Sequence, residues 1–237
     1  MKTSIFKVAT LMGLAMMAMT MFIVSCNEDD KVTPLAYNIT SGDDIVDGAS
    51  GNEFALDKSH SNVNWKTLYY GDNAYLNGKF NQFAIATHFD QANPANTTIN
   101  AFVVLSSFNT GESGRDSYGK CGPGYMGVAF DTVSAAPLEL APRGSTDTAW
   151  FNSTKVVKYG DGYNVTGNLT FRGVTKEVIM PMKYKGTFSY EGSSSTTLRA
   201  SFEGEFTFKA KTDFGVTSGS IADDVTVYIN ANYRKNL

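Results

Sequence analysis

The sequence predicts an all-β protein: about eight antiparallel strands closing into a barrel, with a short helix or long loop near residues 111–148. Three observations carry this. Apolar and polar residues alternate with a period of two, as in Tyr163, Val165, Gly167, Leu169 and Phe171 against Asn164, Thr166, Asn168, Thr170 and Arg172. Turn signals such as Asp161-Gly162 and Arg172-Gly173 bound these runs. No segment carries a helical period. A sheet of this kind must stack or close, and closure removes exposed edges. Eight strands leave an interior wide enough for side chains or one small ligand.

The first 25 residues stand outside the fold. Lys2 and Lys7 precede an apolar run over 8–24, and six of the nine Met residues lie at or before Met21. This charged-then-apolar order is that of a signal peptide, although the run is also near the lower limit for a membrane span. Ile23-Val24-Ser25-Cys26 resembles a bacterial lipobox. The resemblance implies cleavage before Cys26, acylation of its thiol and a membrane contact through that N-terminal anchor. Removing 25 of 237 residues leaves 212, enough for one domain with a real core. Without Lys2 and Lys7 the formal charge moves from −3 to −5. There is no basic run, which argues against nucleic acid as a partner. Cys121 is then the one remaining thiol, so no intramolecular disulfide is expected. The acidic Asn27-Glu28-Asp29-Asp30 reads either as a solvated tether or as a surface-export signal, and 26–51 as a linker.

The domain is expected over 52–237. Val63, Trp65 and Thr67 share one face of a first strand, and Gly78-Lys79-Phe80 begins a second that continues through 84–89. A third, over 98–108, places Val103, Leu105 and Ser107 on one face but Phe102, Val104 and Phe108 on the other. A strand apolar on both sides has to pack against a further element. Residues 111–148 are irregular and hold Pro123, Pro137 and Pro142. So long a loop inside a domain predicts structure of its own, a short helix near 115–120 and a hairpin or helical turn near 125–133. Strands then follow over 149–157, over 163–171 and over 174–184. The last two align Phe202, Gly204, Phe206, Phe208 and Ala210, then Val225, Val227, Ile229, Ala231 and Tyr233. Gly192 and Ser193-Ser194-Ser195 form a hairpin loop.

Several landmarks in this order resemble the YceI-like, lipocalin-like barrels of bacterial envelopes, from Phe54 to Tyr233. They are Asp57 with His60-Ser61, Gly78-Lys79-Phe80, Ser107-Phe108-Asn109-Thr110-Gly111 with Arg115-Asp116, and Phe151-Asn152-Ser153. The run from Gly162 to Thr170 follows, with Arg172-Gly173-Val174-Thr175-Lys176, then Lys211-Thr212-Asp213-Phe214-Gly215 and Asp224-Val225. Lys211 stands where the family usually has Arg, Asn109 where it commonly has Asp, and 117–148 is longer than usual. The resemblance implies a lipid-anchored envelope protein, at the outer membrane, whose barrel binds an isoprenoid-like or other amphiphilic lipid, with no enzymatic activity and no cofactor.

From the residues alone, the inward set could fill the barrel or line a cavity, since both use the same side chains. That set is Val63, Trp65, Phe80, Val103, Leu105 and Phe151 from the first half, with Val165, Leu169, Phe206, Phe208, Val227 and Ile229 from the second. Gly78, Gly167 and Gly204 lie within strands, where glycine leaves room or permits a bend. Other chemistry is thin. His60 has Asp57, Ser59 and Ser61 beside it, but neighbours on one strand rarely reach triad geometry. His60, His88 and Cys121 lack metal-ligand spacing, and no metal is expected. A rival reading makes 111–148 an adhesion surface for protein or glycan, built on Tyr118, Tyr125 and Trp150 over a packed barrel.

Overall fold

The computed structural model describes residues 46–49, 52–71, 73–116, 122–128, 147–191 and 196–236. The proposed signal peptide, Cys26, Cys121, Tyr118 and the 193–195 loop lie outside these residues. The strands are β1 Val46–Ala49, β2 Asn52–Leu56, β3 Asn62–Tyr69, β4 Ala74–Phe80, β5 Phe83–His88 and β6 Thr98–Val104. After β7 (Phe108–Asn109) and the single-turn helix α1 (Ser113–Asp116) come β8 Thr148–Tyr159, β9 Gly162–Phe171, β10 Val174–Glu191, β11 Thr196–Lys209 and β12 Ile221–Asn236.

Two of the strands are kinked. β4 and β5 are one strand bent at Asn81-Gln82, and β6 and β7 are one strand interrupted by a 3-10 turn, Leu105–Ser107. β5 pairs with β6 and β4 with β7, so the two kinked strands run together along their length. Bonds from Asn81 N–H to Ser107 O (3.0 Å) and from Val104 N–H to Gln82 O (3.0 Å) bridge the two kinks. β4 then pairs with β3 and β6 with β8. The antiparallel pairs β8-β9, β9-β10, β10-β11, β11-β12 and β12-β3 complete the circuit. With each kinked strand taken as one, eight strands close the ring, as the sequence predicts.

The expected turn at Arg172-Gly173 is present, with φ of 53° and 77°. Two successive left-handed residues make the tight turn whose twist suits a two-residue hairpin. A single helical turn is observed at Ser113–Asp116, overlapping only the start of the helix expected at 115–120, and a 3-10 turn at Gly122–Gly124 lies before the hairpin or helical turn expected near 125–133; residues 117–120 and 129–133 lie outside the described residues. β1 pairs antiparallel with β2, from Val46 opposite Ala55 to Ala49 opposite Asn52.

The two-sided strand finds its second partner on the outer face. Ala84, Ala86, Phe102 and Val104 form a separate buried cluster there, with Trp150 against Phe102 at 5.1 Å between ring centroids. β1 lies alongside β5.

The barrel interior divides into two halves. At the end where β2 joins β12, it is filled. Val156, Val165 and Tyr233 are fully buried, and Phe89 lies within 5.4 Å of Tyr163, Tyr184 and Phe202, centroid to centroid. The Tyr233 hydroxyl is satisfied at depth by Thr87 (2.8 Å) and Ile85 O (3.2 Å). At the other end the walls stand apart.

Candidate ligand-binding cavity

The open half contains a cavity of about 400 Å³. β3 contributes Val63 and Trp65, β4 Phe80, β6 and its 3-10 turn Val103 and Leu105, and β8 Phe151. β9 contributes Leu169, β11 Phe206 and Phe208, and β12 Val227 and Ile229. Of the inward residues named from sequence, Val165 alone does not reach it. Val165 faces the same way as Leu169, but four residues nearer the filled end, where it has no exposure. Phe80, Val103, Phe208, Val227 and Ile229 point inward yet remain partly accessible, which is what lining a hollow produces.

Other side chains also line the cavity. Phe171 shares the face of Leu169 and was legible from that alternation. Strict alternation puts Phe108 on the opposite face from Leu105. The 3-10 turn between them breaks the period of two and brings the Phe108 ring inward, where it stacks on Trp65 at 5.1 Å. Asp147 braces that turn. Its carboxylate accepts from Ser106 N–H (2.9 Å) and Ser106 Oγ (3.0 Å), and its carbonyl from Leu105 N–H (2.8 Å). Burial pushes the Asp147 carboxyl up, and these hydrogen bonds only partly offset it.

The strand glycines make room, but for neighbouring side chains. A Cβ at Gly167 would stand 2.5 Å from the Phe151 ring, and one at Gly204 2.9 Å from the Met180 sulfur. Phe151 thereby packs against the bare backbone of Gly167.

The connection from β11 to β12 folds over part of this end. Phe214 is buried against Phe171 (5.4 Å) and Phe208 (5.5 Å). Its turn is held by Asp223, whose carboxylate accepts from Lys211 N–H (2.7 Å), Thr212 N–H (3.0 Å) and Thr212 Oγ1 (2.6 Å). These bonds, the Thr212 hydroxyl first, hold the Asp223 carboxyl below the ordinary range. Lys211 thus serves the turn through its backbone. The rim is formed by lining residues that reach solvent, Tyr70 from the β3-β4 turn and Tyr125 from the segment after Gly122–Gly124, with Arg115 of α1 half-buried beside them. Arg172, on the β9-β10 turn, donates to Tyr125 O and ties that segment to the barrel.

His60 belongs to the filled end. Its Nδ1 bonds Asp57 Oδ2 at 2.8 Å, and Arg199 Nη1 donates to the same oxygen at 2.8 Å. Burial works to raise the Asp57 carboxyl, but the bonds from His60 and Arg199 outweigh it and hold it low. Ser61 Oγ is turned to backbone, donating to Asp57 O (2.8 Å) and accepting from Asn232 N–H (2.9 Å). These groups tie the start of β3 to the end of β12. Among the described residues no cluster of three or more His, Cys, Asp or Glu could hold a metal. Trp150 is half-buried against Phe102, and it lines the cavity together with Tyr125.

Comparison with known proteins bears on the same region. The YceI-like domain family matches residues 54–233. A UPF0312 protein of Pectobacterium atrosepticum is 32% identical over 204 residues, covering 84% of this chain and 95% of that protein. A UPF0312 protein of Yersinia pestis is 32% identical over 168 residues, covering 70% of this chain and 77% of that one. Among solved structures, Burkholderia cenocepacia BcnA superposes with a TM-score of 0.54 at 22% identity, over 75% of this chain and 98% of that one.

Proposed function

This chain belongs to the YceI-like domain family, and from that premise we propose that its barrel binds an isoprenoid-like or other amphiphilic lipid, sequestering or carrying it at the bacterial envelope. The observation that carries this is the division of the interior. One half is packed, and the other keeps a cavity of about 400 Å³ lined by aromatic and aliphatic side chains, a size and character suited to a small apolar ligand. Binding is burial with no covalent step, each methylene removed from water contributing about 0.8 kcal/mol. Acylation of Cys26 would hold the protein at the membrane from which such a ligand comes, with the outer membrane as its site.

Native mass spectrometry after detergent-free purification tests this. The expected result is a bound amphiphile released on denaturation. A ligand-free barrel whose melting temperature is unmoved by added farnesol or by a fatty acid would sink the proposal.

A further inference from the structure

We propose that the cavity is built for an anionic amphiphile, whose carboxylate or phosphate monoester head pairs with Arg115 at the rim while its chain occupies the barrel. This rests on the reading that the cavity takes an apolar chain. Among the described residues lining the cavity, Arg115 is the sole charged side chain. The carboxylates nearest to it in the chain are turned onto backbone. Glu112 accepts from Gly114 N–H (3.0 Å) and Arg115 N–H (2.6 Å). Asp116 accepts from Thr110 N–H (2.8 and 2.9 Å), Thr110 Oγ1 (2.6 Å) and Gly111 N–H (3.2 Å). The Arg115 guanidinium has no ion-pair partner among the described residues.

The backbone that carries it is fixed. Arg115 N–H donates to Glu112 O, and the Gly122 backbone packs so closely that a Cβ there would stand 2.9 Å from Arg115 O. Arg172 donates to Tyr125 O in the segment that lines the rim. A positive charge with no countercharge among the described residues, half-buried beside an apolar wall, favours an anion, because the low local dielectric strengthens the pairing. The fork of guanidinium donors matches carboxylate and phosphate oxygens in a bidentate manner. A cationic head would meet like charge, and a neutral alcohol would gain one weaker bond.

The test is a titration of the protein, by tryptophan fluorescence, with farnesol, farnesyl monophosphate, farnesoic acid and inorganic phosphate. Trp65 lines the cavity and reports occupancy. The expected result is that both anionic ligands bind about tenfold or more tightly than farnesol, and that inorganic phosphate does not compete at similar concentrations. In Arg115→Gln the three chain-bearing ligands should converge, while Arg115→Lys keeps part of the preference because it keeps the charge and loses the fork. Circular dichroism checks that both variants fold. Equal affinities in the wild-type protein, or an Arg115→Gln loss as large for farnesol as for the phosphate, would overturn the inference and leave the cavity reading intact. Inorganic phosphate binding as tightly as farnesyl phosphate would also overturn it, since the chain would then contribute nothing. Binding of none of the ligands would remove both readings.

Discussion

The Trp65 indole lies over the bare backbone of Gly78, its cross-strand partner: a Cβ at residue 78 would stand 2.7 Å from Trp65 Cζ2 and 2.7 Å from Asn109 O. The missing side chain is what lets the largest ring of the wall lie flat and stack on Phe108. Gly78→Ala must displace either that ring or the β7 backbone. Overpacking of this kind costs about 1–3 kcal/mol. The variant should melt lower, shift the tryptophan emission and bind ligand more weakly. A variant with unchanged emission and stability would show that the ring is not held by this contact.

Val165 and Leu169 face the same way on β9, yet one lies in the filled half and the other on the cavity wall. Val165→Phe should destabilise by about 1–3 kcal/mol, since Val165 has no exposure and no space beside it. Leu169→Phe adds its volume into the hollow. It should change stability by less than about 1 kcal/mol and reduce ligand uptake. Urea unfolding midpoints of the two variants decide this. A larger loss at Leu169 would mean that the barrel is packed throughout.

The periodic strands were legible because one face of each is packed and the other is wet. β9, β11 and β12 keep that alternation along most of their length, and Arg172-Gly173 marks the turn between β9 and β10. The kinked strands were harder. Ala84, Ala86, Phe102 and Val104 bury the outer face of β5 and β6, which erases the alternation there, and the 3-10 turn at Leu105–Ser107 then shifts its phase. The hollow could not be located from residue types, because Val165 and Leu169 are equally apolar and only their depth along the barrel separates them. Arg115 was visible only as part of an Arg-Asp landmark. Its lack of a countercharge among the described residues depends on where Glu112 and Asp116 turn their oxygens, which is a property of folded geometry.

Asp57 should make the filled end acid-sensitive. Its carboxyl is held below the ordinary value of 3.8, despite burial, by the bonds from His60 and Arg199. A carboxyl depressed in the folded state contributes stability that is fully present above 3.8 and is lost as pH falls from there through the lower folded value. Asp57→Asn removes the charge that both partners bond, and should cost about 1–3 kcal/mol near neutral pH. Urea midpoints measured from pH 6 down to pH 2 should fall more steeply for the wild-type protein than for the variant below 3.8. Parallel curves would mean that another carboxylate carries the acid dependence.

Arg172 holds the rim segment through its bond to Tyr125 O while sitting at φ 53°, a conformation that favours glycine. Replacing it by Ala or by Gly removes the same bond but treats the backbone differently. Arg172→Ala keeps the left-handed strain, whereas Arg172→Gly relieves it and should be about 1 kcal/mol the more stable of the two. Both should release ligand faster than the wild-type protein. Both should also speed amide exchange at Tyr125 and Val128, whose N–H groups bond Gly122 O and Pro123 O within that segment. Release rates that follow the stability order, with Arg172→Gly close to wild type, would assign Arg172 to the turn alone. Equal acceleration in both variants would assign it to retention of the segment over the cavity mouth.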